Sequence, residues 1–315
     1  MMNPKIKNLL QYLFFFGLGI FLVWWSLRKV KPHDWQDIRE AFSHTHYLLI
    51  LPICVTLLAS HLSRAIRWKI LIKPLGVSPK LSNTFSAVLV GYLANLALPR
   101  LGEILKCTLL ARYEKVPADK LIGTIVAERA FDLVCLLLAI SLAFLTQSDR
   151  ISSYLSLRAQ QLFPSGATIP GTQLILGFSL ILLILGVALF FLWKKLTRLS
   201  WFHQMLTLGK GIGQGLISVR YIQNKGWFLF HTLLIWSLYL FSVLLGIYAM
   251  DGTAHLGLKA SLSVLSTGSI AMILTPSGIG AYPLFVQETL DLYDITLGLG
   301  LAMGWMMWVV QFFLV

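Results

Sequence analysis

Glu128, Arg129 and Asp132 stand together in "IVAERAFDLVCLLL", inside an apolar run that starts near Leu121. If a spanning helix begins there, Glu128 lies about 10 Å along it. An unpaired charge at that depth costs several kcal/mol, so embedded ionisable groups are paired, functional or both. Glu128 and Asp132 are four apart and share a helix face, and Arg129 is three before Asp132, so a pair within the helix is available. Two readings follow. The cluster lines a path for an ion or a lipid headgroup, which embedded charge favours, or it is a structural ion pair that holds the helix against its neighbour.

A second constellation is "ALPRLGEILK", residues 97–106, directly after the uncharged stretch "TFSAVLVGYLANLAL". Pro99 ends a helix and Gly102 permits a turn. A helix starting near Gly102 points its free amides back at the break, where they attract anions. Arg100 and Lys106 add positive charge, and Glu103 suits a first helical turn and can pair with Lys106 three residues on. These groups suit a phosphate headgroup. A comparable break, "TPSGIG", offers Pro276, Gly278 and Gly280.

Other signals are weaker. Arg64, Arg67 and Trp68 in "HLSRAIRWKIL" recur at helical spacing and could cap a cavity, but snorkelling cations with a tryptophan anchor explain them better. His44 and His46 lack a third metal ligand, and no metal or other cofactor is expected. "GKGIGQG", 209–215, lacks the strand and the Gly-Lys-Ser/Thr order of a phosphate loop and reads as a connector. His231 reads as a packed or interfacial residue. Cys54, Cys107 and Cys135 are odd in number and lie in or beside apolar segments, so they read as small buried hydrophobes.

The elements that must position these groups are membrane helices. The chain has 315 residues, 57% hydrophobic and 12% charged, against about 25% charged in a soluble domain. The expected fold class is all-α: a polytopic bundle of about six full spans plus two re-entrant helical hairpins. The spans are 9–27, 47–62, 121–145, 174–193, 227–250 and 297–315. The first ends in Trp24 and Trp25 without a small-residue cleavage site, so it reads as an uncleaved helix. The runs 84–98 and 260–275 are too short to cross a core of about 30 Å, and each stops at proline followed by glycine.

The net charge of +13 is a matter of topology, and no nucleic-acid partner is expected. Segment 63–120 holds ten Lys/Arg and segment 194–226 six with no acid, whereas 147–173 holds only Arg150 and Arg158. The positive-inside rule therefore places 63–120, 194–226 and the N-terminus in the cytoplasm and 147–173 outside, the last reading as a loop with a short interfacial helix. Pro99 precedes the next span by 22 residues and Pro276 by 21. The chain is thus expected to be a single domain, 1–315, whose halves, roughly 47–145 and 227–315, form an inverted repeat. Two unrelated proline kinks are the alternative.

"NLALPRLGEILK", "GTIVAERAFDLVCLLL" and "LTPSGIGAYPLFV", in that order and spacing, resemble the lysylphosphatidylglycerol synthase transmembrane region, the flippase-like family that includes the membrane half of the multiple peptide resistance factor. The resemblance covers roughly 10–315. It implies a multi-pass inner-membrane protein of bacteria or archaea that moves, or helps to move, a lipid between leaflets. It assigns the site to Asn95, Pro99, Arg100, Gly102, Glu103, Glu128, Arg129 and Asp132. One departure is the second motif, which in many relatives is Pro-Gly-Gly-x-Gly followed by a glutamate. Here it reads Pro276, Ser277, Gly278, Ile279, Gly280, with Pro283 where the acid is expected and Glu288 five residues later as a replacement. No soluble aminoacyl-transfer domain follows, so lysine transfer is not expected.

The leading expectation is translocation of an anionic or phosphate-bearing membrane lipid, with lipid-linked phosphate included, rather than an enzymatic reaction. The alternatives are a non-catalytic membrane subunit of a separately encoded soluble enzyme, and a glycosyltransferase-like enzyme acting on a polyprenyl phosphate. The latter lacks a D-x-D motif and a large loop. A homo-oligomer is compatible with the sequence.

Overall fold

The computed structural model describes residues 4–97, 101–162, 173, 177, 180 and 221–314. Pro99, Arg100, nearly all of the span 174–193 and the segment "GKGIGQG" lie outside the described residues. The described residues form eleven α-helices and no strand. They are α1 (Pro4–Arg28), α2 (Pro32–Ser43), α3 (Ile50–Ile72), α4 (Leu81–Ala97), α5 (Leu101–Glu114), α6 (Ala118–Thr146), α7 (Ser148–Leu162), α8 (Lys225–Tyr248), α9 (Leu258–Leu274), α10 (Ala281–Asp291) and α11 (Leu297–Leu314).

Among the described residues, four helical stretches are long and apolar enough to cross a membrane: Tyr47–Leu75, Ala118–Thr146, Lys225–Tyr248 and Leu297–Leu314. The 25-residue α1 contains the expected first span. The α3 helix runs ten residues past the expected end at 62, because its arginines are not interfacial. Ser60, Ser63, Arg64, Arg67 and Trp68 are all buried, and the helix continues through them to reach their partners. The segment 147–173, expected to be a loop with a short interfacial helix, begins with α7 at Ser148.

The α4–α5 pair is a tight hairpin. Asn95 Oδ1 accepts the Gly102 N–H at 2.8 Å, capping the new helix start. The α-carbon of Gly102 lies so close to the Gly91 carbonyl that a Cβ would overlap it, so only glycine fits. At the open end Glu114 Oε1 accepts the Lys80 N–H at 3.0 Å and the Asn83 amide at 2.6 Å. The chain thus enters and leaves this hairpin at one place.

The α9–α10 pair repeats the design with a different turn. Thr275 is extended, a 3-10 turn follows at Pro276–Gly278, and Ser277, Gly278 and Gly280 take φ of +46°, +74° and +70°. A left-handed serine costs roughly 1–2 kcal/mol. The Trp308 indole holds it by donating to the Ser277 carbonyl at 2.8 Å, and the Thr275 hydroxyl donates to the Ile279 carbonyl at 3.0 Å. The open end is tied by Thr267–Thr289 at 2.7 Å and Ser263–Tyr293 at 3.0 Å.

The α6 helix relates the two. It starts four residues after Glu114 and ends beside Gln147, whose amide donates to Ser263 Oγ at 3.0 Å. Its 29 residues cover about 43 Å. The open ends of the hairpins therefore lie at opposite ends of α6.

Two apolar cores flank the centre. One gathers Ile53, Leu57, Ile247, Met303 and Met307, and the other Ala65, Trp68, Leu71, Leu110, Leu121 and Ile125. The α3 and α8 helices pack along each other and pass through both. Leucines and phenylalanines line the outside, among them Leu51, Leu133, Leu138, Leu142 and Phe230, as in a helix bundle that faces hydrocarbon.

Candidate functional site

Three helices bring seven charges together where α4 gives way to α5. Glu128, on α6 and fully buried, is the hub. Its Oε1 accepts Arg64 Nη1 and Arg67 Nη2, each at 3.3 Å, and its Oε2 accepts Lys106 Nζ at 3.0 Å. Asp132, one turn on, receives Arg64 at 3.2 Å and Arg67 at 2.7 Å. Two carboxylates on one face of α6 thus meet two guanidiniums on one face of α3. In a low-dielectric interior such charges persist only when paired and hydrogen-bonded.

Neighbouring groups hold the cations. The Arg64 Nη2 donates to the Tyr239 hydroxyl at 3.2 Å, and Arg67 Nη1 to Thr232 Oγ1 at 3.4 Å, both partners on α8. Lys106 lies over the Trp68 ring, 4.7 Å from its centroid, while the indole N–H donates to Thr124 Oγ1 at 2.9 Å. Cation–π contact of this kind strengthens as water is excluded.

Arg129 is tied more loosely. Its guanidinium is 3.4 Å from Glu103 and 3.9 Å from Asp132, and 43% of the side chain is exposed. Four cations, Arg64, Arg67, Lys106 and Arg129, face the carboxylates of Glu103, Glu128 and Asp132, which leaves one positive charge unmatched. Beside it lies a cavity of about 10 Å³, lined by Arg64, Gly91, Tyr92, Asn95, Gly102, Glu103, Lys106 and Arg129. That is room for about one water molecule. The Tyr92 hydroxyl and Glu103 Oε2 are buried there without a hydrogen-bond partner among the described residues.

The sequence-derived site residues fall into four groups. Asn95, Gly102, Glu103, Lys106, Glu128, Arg129 and Asp132 come together, and Pro99 and Arg100 lie outside the described residues. Pro276, Gly278 and Gly280 form the second turn, which packs against α4. Glu288 stands apart, half exposed and 3.6 Å from Lys29. The expected Glu103–Lys106 pair is replaced by two partners across to α6, Arg129 and Glu128. A pair along a helix surface is worth only a few tenths of a kcal/mol, whereas a buried carboxylate left alone costs several. Arg64, Arg67 and Trp68 are likewise not an interfacial belt: all three are buried, and the arginines hold Glu128 and Asp132.

Sequence reasoning passed over Tyr92, Tyr239, Thr232 and His61, whose ring lies tilted against that of Tyr92 with centroids 4.6 Å apart. The available signal was arginines three apart whose face also carries His61. His231 packs as expected, with its Nδ1 2.8 Å from Ser63 Oγ. His46 pairs with Asp251 at 2.8 Å.

Comparison with known families gives a match to the lysylphosphatidylglycerol synthase TM region over residues 9–315. No curated protein and no solved structure matches the chain.

Proposed function

The chain belongs to the lysylphosphatidylglycerol synthase TM region family, and from that premise we propose that it is a multi-pass inner-membrane protein that translocates a phosphate-bearing lipid headgroup between leaflets. In this reading the two helical hairpins are re-entrant and form an inverted repeat, and the N-terminus is cytoplasmic. The opposite placement of the hairpins' open ends along α6 supports the arrangement, since broken helices from opposite faces are how such proteins build a midplane site.

The observation that carries the proposal is the ion cluster at the first break, with one positive charge in excess and Arg129 as its least committed member. A headgroup phosphate replaces Glu103 on Arg129, a charge-assisted exchange that leaves the guanidinium paired throughout. The Tyr92 hydroxyl, buried and unpartnered, is placed to donate to the same anion. Arg64, Arg67 and Lys106 stay on Glu128 and Asp132, so the frame is kept while the ligand passes. In the described state the cavity is too small for a phosphate, so entry requires α4–α5 to move relative to α6.

The test is leaflet exchange of a fluorescent phospholipid in proteoliposomes. Arg129→Ala is expected to slow exchange about tenfold or more, the loss of one charge-assisted contact, and Arg129→Lys to retain part of it. Equal exchange by Arg129→Ala and the wild type, at matched folding, removes the assignment.

A further inference from the structure

A second cavity, of about 850 Å³, opens at the far end of α6. It is 18 residues along α6 from Glu128, roughly 27 Å, and shares no lining residue with the ion cluster. Its floor is built of buried polar groups. The Gln147 amide donates to Ser263 Oγ at 3.0 Å and to the Lys259 carbonyl at 3.1 Å, and its oxygen accepts the Tyr293 hydroxyl. Burial raises the Tyr293 phenol above its ordinary value, so it remains a donor.

Over this floor lie charges of both signs. The Arg150 guanidinium is held over the Tyr293 ring, 4.8 Å from its centroid. Lys259 lies in the first turn of α9 and lines the same cavity, as do Asp149 and Asp294. Among the described residues none of the four forms an ion pair. In the inner cluster each charged group has an oppositely charged partner within 4 Å; here opposite charges share a wall without pairing.

We propose that this cavity binds a phosphate ester of a polar alcohol, with Arg150 and Lys259 holding the phosphate and Asp149 and Asp294 receiving the hydroxyl or ammonium hydrogens of the alcohol. A guanidinium stacked on a ring presents its planar fork in a fixed orientation, which suits two phosphate oxygens. The volume lies in the range of small-molecule sites, far above that of a bare anion. The ester belongs to a lipid headgroup or to a free phosphoester, and the inference stands whether or not the inner cluster moves lipid.

The experiment places a benzophenone amino acid at Thr296, an exposed residue of the lining, and identifies photoadducts by mass spectrometry. One preparation is the protein in phospholipid vesicles; the other is the detergent-purified protein with glycerol 3-phosphate. A phospholipid adduct assigns a lipid headgroup, and an adduct with glycerol 3-phosphate alone assigns a free phosphoester. In either case R150Q/K259Q is expected to lower the yield about tenfold or more, while R150K/K259R retains it. No adduct in both preparations, a yield unchanged in R150Q/K259Q, or an equal loss in both double variants overturns the site.

Discussion

At the scale of single residues, the ion cluster divides into groups that hold the fold and a group free to act. Glu128 takes three cations and is fully buried. Its replacement by leucine leaves Arg64, Arg67 and Lys106 short of a partner in a dry interior. We expect Glu128→Leu to cost about 3–5 kcal/mol, read as a lowered Tm in detergent or as loss of monodisperse protein. Arg129 is 43% exposed and has longer contacts, so Arg129→Ala is expected to cost less than about 1 kcal/mol while slowing lipid exchange. A loss of stability in Arg129→Ala equal to that in Glu128→Leu would show that the division is wrong. The carboxylates and Arg129 were legible in the sequence because they sit four and three apart on one helix. Their main partners were not, because Arg64 and Arg67 come from another helix about sixty residues earlier, and arginines near an apolar run are more often interfacial.

At the scale of elements, each hairpin depends on one or two positions where backbone meets backbone. A Cβ on Gly102 overlaps the Gly91 carbonyl. Gly102→Ala must therefore spread α4 from α5 and strain the Asn95 cap; a cost of about 1–3 kcal/mol is expected, with a lowered Tm and altered lipid exchange as the measurements. Gly280 joins positive φ to close packing, since a Cβ there would lie 2.5 Å from the Gly19 carbonyl. Gly280→Ala is expected to be at least as damaging and to loosen α1, measurable as faster proteolysis near the N-terminus. If both variants melt with the wild type, the tight-turn account is wrong. These breaks were visible in the sequence because proline, glycine and a short apolar run are local signals. What closes the hairpins was not. Glu114, Gln147 and Tyr293 act on partners 30 to 146 residues away, and no periodicity records such pairing. The extension of α3 past the expected boundary has the same origin, since burial of its arginines depends on carboxylates elsewhere.

At the scale of the whole molecule, the arrangement makes a claim about sidedness that is independent of any substrate. Glu114 ties the start of α4 to the end of α5, and α6 then runs to Gln147, beside the open end of the other hairpin. If α6 crosses the bilayer, Tyr113 and His255 must face opposite aqueous compartments. Both are exposed, Tyr113 by 70%, so each suits a single reporter cysteine in a background lacking Cys54, Cys107 and Cys135. Segment 63–120 carries ten Lys/Arg and 147–173 two, from which the positive-inside rule predicts Tyr113 on the cytoplasmic side. A membrane-impermeant maleimide added to intact spheroplasts is expected to label His255→Cys and to spare Tyr113→Cys until the membrane is opened. Inverted vesicles should give the reverse. Labelling of both positions from one side would mean that α6 does not span, and the hairpins would then enter from a common face. A protein with that arrangement could still bind a headgroup at Arg129, but it would have no second entry through which to release it to the other leaflet.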